Sequence, residues 1–235
     1  MIKVIVIIFI TIFMFIGCGG GDVSSYSTQS YSNSSEQNSN TPNNSNSNRD
    51  NNSNSNSNSN QDNKKTTKLS THKIPTISQS KIDEFLDVIN AARADDRMCG
   101  DELYRATTKV KWSNALYKSA YEHTQDMAKN RVMIHEGTNT SSDWTAKDLN
   151  LNRGSYFYER DQYNGYLILK RVTENVARGS SFSDIQSVVD AWLDSPPHCR
   201  NIMDPEVKDV GVAYIKTNSK YTYYWTQEFG VKMKN

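Results

Sequence analysis

The sequence is short of the features that mark several large function classes. Its 27 lysines and arginines stand against 26 acids, for a net charge of +1, and the two signs are interspersed. With no basic run there is no footprint for DNA or RNA, and no nucleic acid is expected as a partner. No His-Glu-x-x-His pair occurs, and no Gly-x-Ser-x-Gly turn, so two common hydrolase signatures are missing. Long apolar runs are also scarce. Residues 1–17, MIKVIVIIFITIFMFIG, are almost wholly apolar, with one lysine, Lys3. They fall short of the ~20 residues a membrane-spanning helix needs. Cysteine is confined to three positions, Cys18, Cys99 and Cys199.

What is present divides the chain. A lysine followed by an apolar stretch from Val4 to Phe15 reads as an export signal. FIGCGGG then sets Gly17 directly before Cys18 and resembles the lipobox of bacterial lipoproteins, with Phe15 in place of the usual leucine. The resemblance implies that Cys18 becomes a lipidated N-terminus and that the protein is held on a membrane of the bacterial cell envelope. Gly19 after the cysteine points, by the same resemblance, to the outer membrane or cell surface. The alternative is a signal cut elsewhere, with Cys18 a bystander. Each buried methylene of an acyl chain contributes ~0.8 kcal/mol, so stable anchoring takes more than one chain. Residues 18–75 form an Asn/Ser-rich segment with almost nothing to bury, read as a disordered tether. About 50 residues of flexible coil reach ~40 Å.

Residues 76–235 mix apolar and polar residues as a single domain does. Ser80 and Asp83 have capping-box spacing ahead of an apolar stripe, Ile82, Phe85, Leu86 and Ile89. A second helix is expected from Ser113, with Leu116, Ala120, His123 and Met127 on its core side. A histidine there serves as a hydrogen-bonded core residue more often than as a ligand. The segment 131–180 reads as irregular chain with short helices. Its Tyr156, Phe157, Tyr158, Tyr163 and Tyr166 either line a binding surface or pack under a long loop. Ser183 and Gln186 suggest the cap of a third helix, which Pro196 and Pro197 terminate. DVGVAYIKT and YTYYWTQEF read as two strands joined by a hairpin. Helices followed by an antiparallel pair indicate an α+β layered domain.

After export, Cys99 and Cys199 are an even pair in an oxidising compartment and read as a disulfide, the alternative being two free thiols. The bond closes a loop of about 100 residues, worth ~4.7 kcal/mol in the chain-entropy model.

INAARADDRMCG, VKWSNALYKSAYEHTQDMAKN, MIHEG, ENVARG, WLDSPPHCRNIMDPEVKDVGVAY and YYWTQEFG occur in this order. Together they resemble the CAP superfamily of cysteine-rich secretory, antigen 5 and pathogenesis-related 1 proteins, nearest its bacterial secreted branch, over about residues 80–231. The resemblance implies an α-β-α sandwich with a central antiparallel sheet. It also implies a cleft of two histidines and two acids, often able to bind a divalent metal. MIHEG supplies His135, and TENVA supplies Glu174, with Thr173 in place of the usual glycine. SPPHC supplies His198, with Pro197 in place of a glycine. Where other members carry a histidine in the last strand this chain has Tyr224, and the second acid aligns with Ser195, leaving Asp194 a weak substitute. His135, His198 and Glu174 are thus the candidate ligand-binding cleft and the tentative ligands for zinc or another divalent metal, with no cofactor required. No catalytic residue is assigned, since neither an activated nucleophile nor donors for a developing charge are evident. Two functions are expected from this pattern. The first is a non-enzymatic extracellular module binding a lipid, glycan, protein or metal. The second is a metal-dependent hydrolase acting on cell-surface peptides or polymers.

Overall fold

The structure, a computed structural model, describes residues 68–220 and 222–233. The leader, Cys18 and most of the tether lie outside the described residues. Among the described residues no helix is long and apolar enough to cross a membrane.

Residues 68–75, assigned by composition to the tether, lie along the domain instead. The Ser70 amide donates to the Tyr163 carbonyl at 2.8 Å, and the Tyr117 hydroxyl donates to the Pro75 carbonyl at 2.9 Å. The His72 ring stacks on Trp144 with centroids 4.3 Å apart. A few well-placed anchors are enough to order a segment whose average composition is polar.

Helix α1 (Gln79–Arg93) buries Phe85, Ile89 and Ala92. Its cap is Ser78, not Ser80: Ser78 has extended backbone and its side chain accepts from the Lys81 amide. A short hairpin follows, β1 (Arg97–Cys99) and β2 (Glu102–Tyr104), turning at Gly100 with φ +69°. Strand β3 (Lys111–Trp112) leads through Ser113, which caps the expected helix α2 (Asn114–Asn130). Leu116, Ala120, His123 and Met127 are all fully buried, as their spacing predicts. Helices α3 (Trp144–Asp148) and α4 (Phe157–Tyr163) are the short helices expected in the irregular segment. Its end is not irregular, however. Residues Ile168–Gly179 form the long strand β4, and Glu174 lies within it.

Helix α5 (Ile185–Leu193) is capped by Asp184, whose side chain accepts from the Ser187 amide, in place of the expected Ser183. The two prolines do stop α5, but they also open another helix, α6 (Pro196–Met203), at its first two positions. Proline is suited to that place because its ring presets φ and the missing amide has no intrahelical partner there. His198 and Cys199 therefore sit on a helix rather than in a turn. Strands β5 (Asp209–Lys216) and β6 (Tyr223–Lys232) form the expected hairpin. Residues Asp209 to Ala213 of β5 are buried without alternation, because helices cover both faces.

The main sheet has the order β3-β5-β6-β4. Its β4–β6 and β5–β6 pairs are antiparallel, and the two-residue β3 joins β5 in parallel. Val210, Val212, Trp225 and Phe229 pack with α1, α5 and α6 on one side. Ala213 and Thr226 meet α2 on the other, where the Thr124 hydroxyl donates to Thr226 Oγ1 at 2.9 Å. This is the α-β-α sandwich that the family resemblance implies, and it agrees with the α+β layered domain read from the residues. Gly211 lets α2 approach, since a Cβ there would lie 2.1 Å from the Tyr117 nitrogen. The expected Cys99–Cys199 disulfide is present and joins β1 to α6. Buried Arg93 closes the other end of α6 by donating to the Asp204 carbonyl at 3.0 Å.

Candidate functional site

Strand β4 is an edge of the sheet, and there the layer containing α2 meets the layer containing α6. His135 lies in the chain leaving α2, Glu174 in β4 and His198 in the first turn of α6. The His135 loop is held close by glycine. The Gly137 amide donates to the Ser155 carbonyl at 2.7 Å, and a Cβ on Gly154 would fall 1.7 Å from the Gly137 oxygen.

His135 Nδ1–H donates to Glu174 Oε1 at 2.8 Å. The imidazole is 43% exposed while the carboxylate is 1% exposed. Behind the carboxylate stands Arg160 of α4, fully buried, whose Nη2 donates to Glu174 Oε2 at 2.6 Å and to the His135 carbonyl at 3.0 Å. Its Nη1 donates to the Ser155 carbonyl at 2.8 Å. One guanidinium thus fixes the acid, the histidine backbone and the neighbouring loop.

His123 approaches from α2. Its Nε2–H donates to the Ile134 carbonyl at 2.8 Å and lies 3.8 Å from Glu174 Oε2. Burial, with Arg160 nearby, lowers its pKa to about 4, so it is neutral at pH 7 and its contact with Glu174 is not an ion pair. His123 is both the core residue its spacing predicts and a wall of the site.

His198 reaches the same edge from α6. Asn175, next to Glu174, donates through Nδ2 to the His198 carbonyl at 3.3 Å and to Gln227 Oε1 at 2.9 Å. Asn201 of α6 donates to Asn175 Oδ1 at 2.8 Å and to the Glu174 carbonyl at 3.2 Å. These amides pin α6 to β4. The structure therefore brings His135, Glu174 and His198 to one edge. Asp194 is an exposed helix end, and Ser195 caps α6 without a side-chain bond. Tyr224 is fully buried against Met127 and Val176.

The two cleft histidines are shifted in opposite directions. Burial opposes a proton on His135, but the hydrogen bond and charge of Glu174 outweigh it and raise the pKa above the usual imidazole value. Burial lowers His198 to about 4, helped by the charge of His135, which is close enough to act on it. Glu174 stays ionised although burial opposes its charge, because Arg160 and His135 compensate. Two more buried acids lie behind it. Asp161 is pushed up to about 8 by burial, and Glu228 is raised by burial and by the charge of Glu174. In both, burial favours the neutral form, which works against a build-up of negative charge behind Glu174.

This arrangement does not fit the tentative zinc set. Both oxygens of Glu174 are committed, one to a histidine and one to a buried cation that would repel a metal ion. Among the described residues no group of three or more His, Cys, Asp or Glu side chains is placed to hold a metal ion.

The aromatic segment splits. Tyr163 and Tyr166 are buried, while Tyr156, Phe157 and Tyr158 are half-buried and mutually packed, with the Tyr156 and Tyr158 rings 5.6 Å apart. Sequence reasoning did not single out Arg160, Asp161 or Glu228. The signal for Arg160 was its place in YERDQY, on a helix too short to show a periodic stripe.

The model for "CAP: Cysteine-rich secretory protein family" matches residues 86–229. The uncharacterized protein YkwD of Bacillus subtilis is 29% identical over 114 residues, which cover 48% of this chain and 36% of the relative. The match thus spans about a third of that protein. An extracellular protein containing a SCP domain from Bacillus anthracis superimposes at TM-score 0.46 and 20% identity, covering 66% of this chain and 42% of that one. An outer surface protein from Borrelia burgdorferi does so at TM-score 0.46 and 21% identity, covering 69% and 98%. The family model accounts for more than half of the residues, and the chain belongs to the CAP, or cysteine-rich secretory protein, family.

Proposed function

We propose that this chain is an exported, lipid-anchored binding module whose His135/Glu174/His198 cleft takes a small anionic or hydroxyl-rich ligand, with glycans the best-suited class. The observation that carries this reading is the chain His135–Glu174–Arg160, which holds a partly exposed imidazole in a fixed orientation with its charge supported. An imidazole whose proton Glu174 favours and a neutral one on the same edge offer donors and an acceptor to one ligand. Such a pair suits a sugar carboxylate or vicinal hydroxyls. Export rests on the leader 1–17 and on the disulfide, a bond of oxidising compartments. Anchoring rests on Cys18, which makes the membrane itself a partner.

The test is calorimetry of the full chain with N-acetylmuramic acid, with its uncarboxylated counterpart N-acetylglucosamine, and with zinc. Heat from a sugar that is lost in both His135→Gln and His198→Ala supports the cleft. Equal binding by wild type and variants contradicts it, and zinc heat lost in the same variants returns the metal reading. For the anchor, a Cys18→Ser chain should leave the membrane fraction, and unchanged retention counts against lipidation.

The second reading, hydrolysis, is favoured by one feature. A histidine oriented by a buried carboxylate is also the arrangement of a general base. Turnover of a peptide and glycan panel, abolished in His135→Gln, would establish it over the binding module.

A further inference from the structure

One end of the domain gathers apolar side chains that its core does not use. The Met233 amide donates to the Leu167 carbonyl at 3.0 Å, and Ile168 faces Lys232 one step along, so Leu167 and Met233 stand opposite each other across β4 and β6. Tyr166 is buried and Ile168 half-buried, while alternation turns Leu167 and Leu169 outward. Both leucines are more than half exposed, and Met233 nearly so. The chain arriving from the tether reaches the same end. The Ser70 amide is bound to the Tyr163 carbonyl, on the last residue of α4, and Leu69 beside it is again more than half exposed. The turn after α4 links the two groups, and a Cβ on its Gly165 would meet nothing within 4 Å. Single exposed leucines are ordinary on a protein surface, but apolar side chains gathered where the two ends of the folded chain meet are not. Cations frame them. Lys68 and Lys232 are exposed, and each is next in sequence to one of these apolar residues. The sequence adds Lys64 and Lys65 before the domain and Lys234 after it. Two nearby acids are already matched, Asp148 by His72 and the Tyr163 hydroxyl, and Glu206 by Lys170.

We propose that this end of the domain docks on an anionic lipid surface, with Leu69, Leu167, Leu169 and Met233 entering the headgroup layer and the lysines meeting its phosphates. The inference rests on the membrane location argued above, but not on the acyl chains. Two observations favour a membrane as the occupant. The tether joins the domain at Lys68, so this end is where the chain arrives from the anchor. Lysines also alternate with the apolar residues along the chain, as Lys68-Leu69 and as Val231-Lys232-Met233. In that pattern the lysine stems lie along the apolar surface while their ammonium groups reach the phosphates, and burial and charge act together. Docking also does something the tether alone does not. From Ile168 to Glu174 strand β4 rises at most ~20 Å, so a docked domain holds its cleft at a set height above the lipid.

The test uses the processed chain, residues 18–235, carrying Cys18→Ser so that no lipid contributes. It is mixed with vesicles of equimolar phosphatidylglycerol and phosphatidylethanolamine and, separately, with vesicles of phosphatidylcholine. Co-sedimentation should show binding to the anionic vesicles that weakens as salt is added, and little binding to the neutral ones. Leu167→Ser/Leu169→Ser should lower the affinity by about tenfold or more, and Lys68→Gln/Lys232→Gln by on the order of tenfold at low salt. Leu103→Ser, which alters an exposed leucine on the separate hairpin strand β2, should bind as the wild type does. Every side chain replaced is exposed, so the variants keep the core intact. Absence of binding to the anionic vesicles overturns the proposal, as does equal binding to the neutral ones or an equal loss in Leu103→Ser. Self-association of the wild type that the leucine pair alone abolishes, without vesicle binding, would assign the surface to a second copy, and the proposal would fail. If Cys18→Ser leaves the membrane fraction of cells while the processed chain ignores the vesicles, the lipid anchor stands and this surface alone falls.

Discussion

Arg160 on α4 donates to Glu174 on β4 at 2.6 Å, and each of the two side chains is 1% exposed. A buried pair of this kind is a weak source of net stability, because desolvation offsets the attraction, but breaking it is costly. Replacing Arg160 with Met leaves Glu174 ionised in a dry pocket. The expected loss is ~3–5 kcal/mol in urea unfolding. The double variant Arg160→Met/Glu174→Gln should recover a substantial part of it. Additive losses would show that the two residues do not act as a pair.

The disulfide makes a second prediction. Cys99→Ser/Cys199→Ser, or reduction of the wild type, should lower stability by ~2–5 kcal/mol. The measurement is denaturant unfolding with parallel alkylation. Unchanged stability, or two alkylatable thiols before reduction, contradicts the bond seen between β1 and α6.

Gly154→Ala tests the packing that presents His135. The added Cβ meets the Gly137 backbone, which has no flexible end to yield. The loop must move away from β4. The His135 resonance should lose the upward shift that Glu174 supplies, and stability should fall by ~1–3 kcal/mol. Wild-type behaviour on both counts would place the support of His135 elsewhere.

Acid sensitivity follows from His123. Its folded pKa, about 4, lies below the usual value of 6.5, so the unfolded chain binds a proton first as pH falls. Its contribution to stability is complete above pH 6.5, shrinks between pH 6.5 and about 4, and is then constant. The change amounts to ~3 kcal/mol by linkage. His123→Gln keeps a donor for the Ile134 carbonyl but does not titrate. Its stability should therefore fall less between about pH 7 and pH 4 than that of the wild type, and parallel profiles would refute the assignment.

Much of this architecture was legible because side-chain spacing and burial agree. The stripe Leu116, Ala120, His123 and Met127 named the buried face of α2, and the β5–β6 hairpin followed from its aromatic and β-branched residues. Strand β4 was missed for a physical reason. As an edge strand it carries exposed Lys170 and half-buried Arg171 and Arg178, and its buried Glu174 breaks the apolar alternation that identifies strands. The prolines before His198 were read as a stop, yet their geometry serves a helix start equally well. His135, Glu174 and His198 came from family resemblance. Arg160 did not, because what makes a buried arginine tolerable is a partner from another element, which sequence spacing does not display.

Glu174 holds the pKa of His135 up while burial holds that of His198 down, and the proposed ligand chemistry depends on that difference. The chain has four histidines, His72, His123, His135 and His198, few enough to assign individually. An NMR pH titration of their imidazole carbons decides the point. His135 should titrate above pH 6.5, while His198 and His123 should remain neutral down to about pH 4. Titration of His135 and His198 together, near the value of a free imidazole, would show that Glu174 and burial do not set the two rings apart.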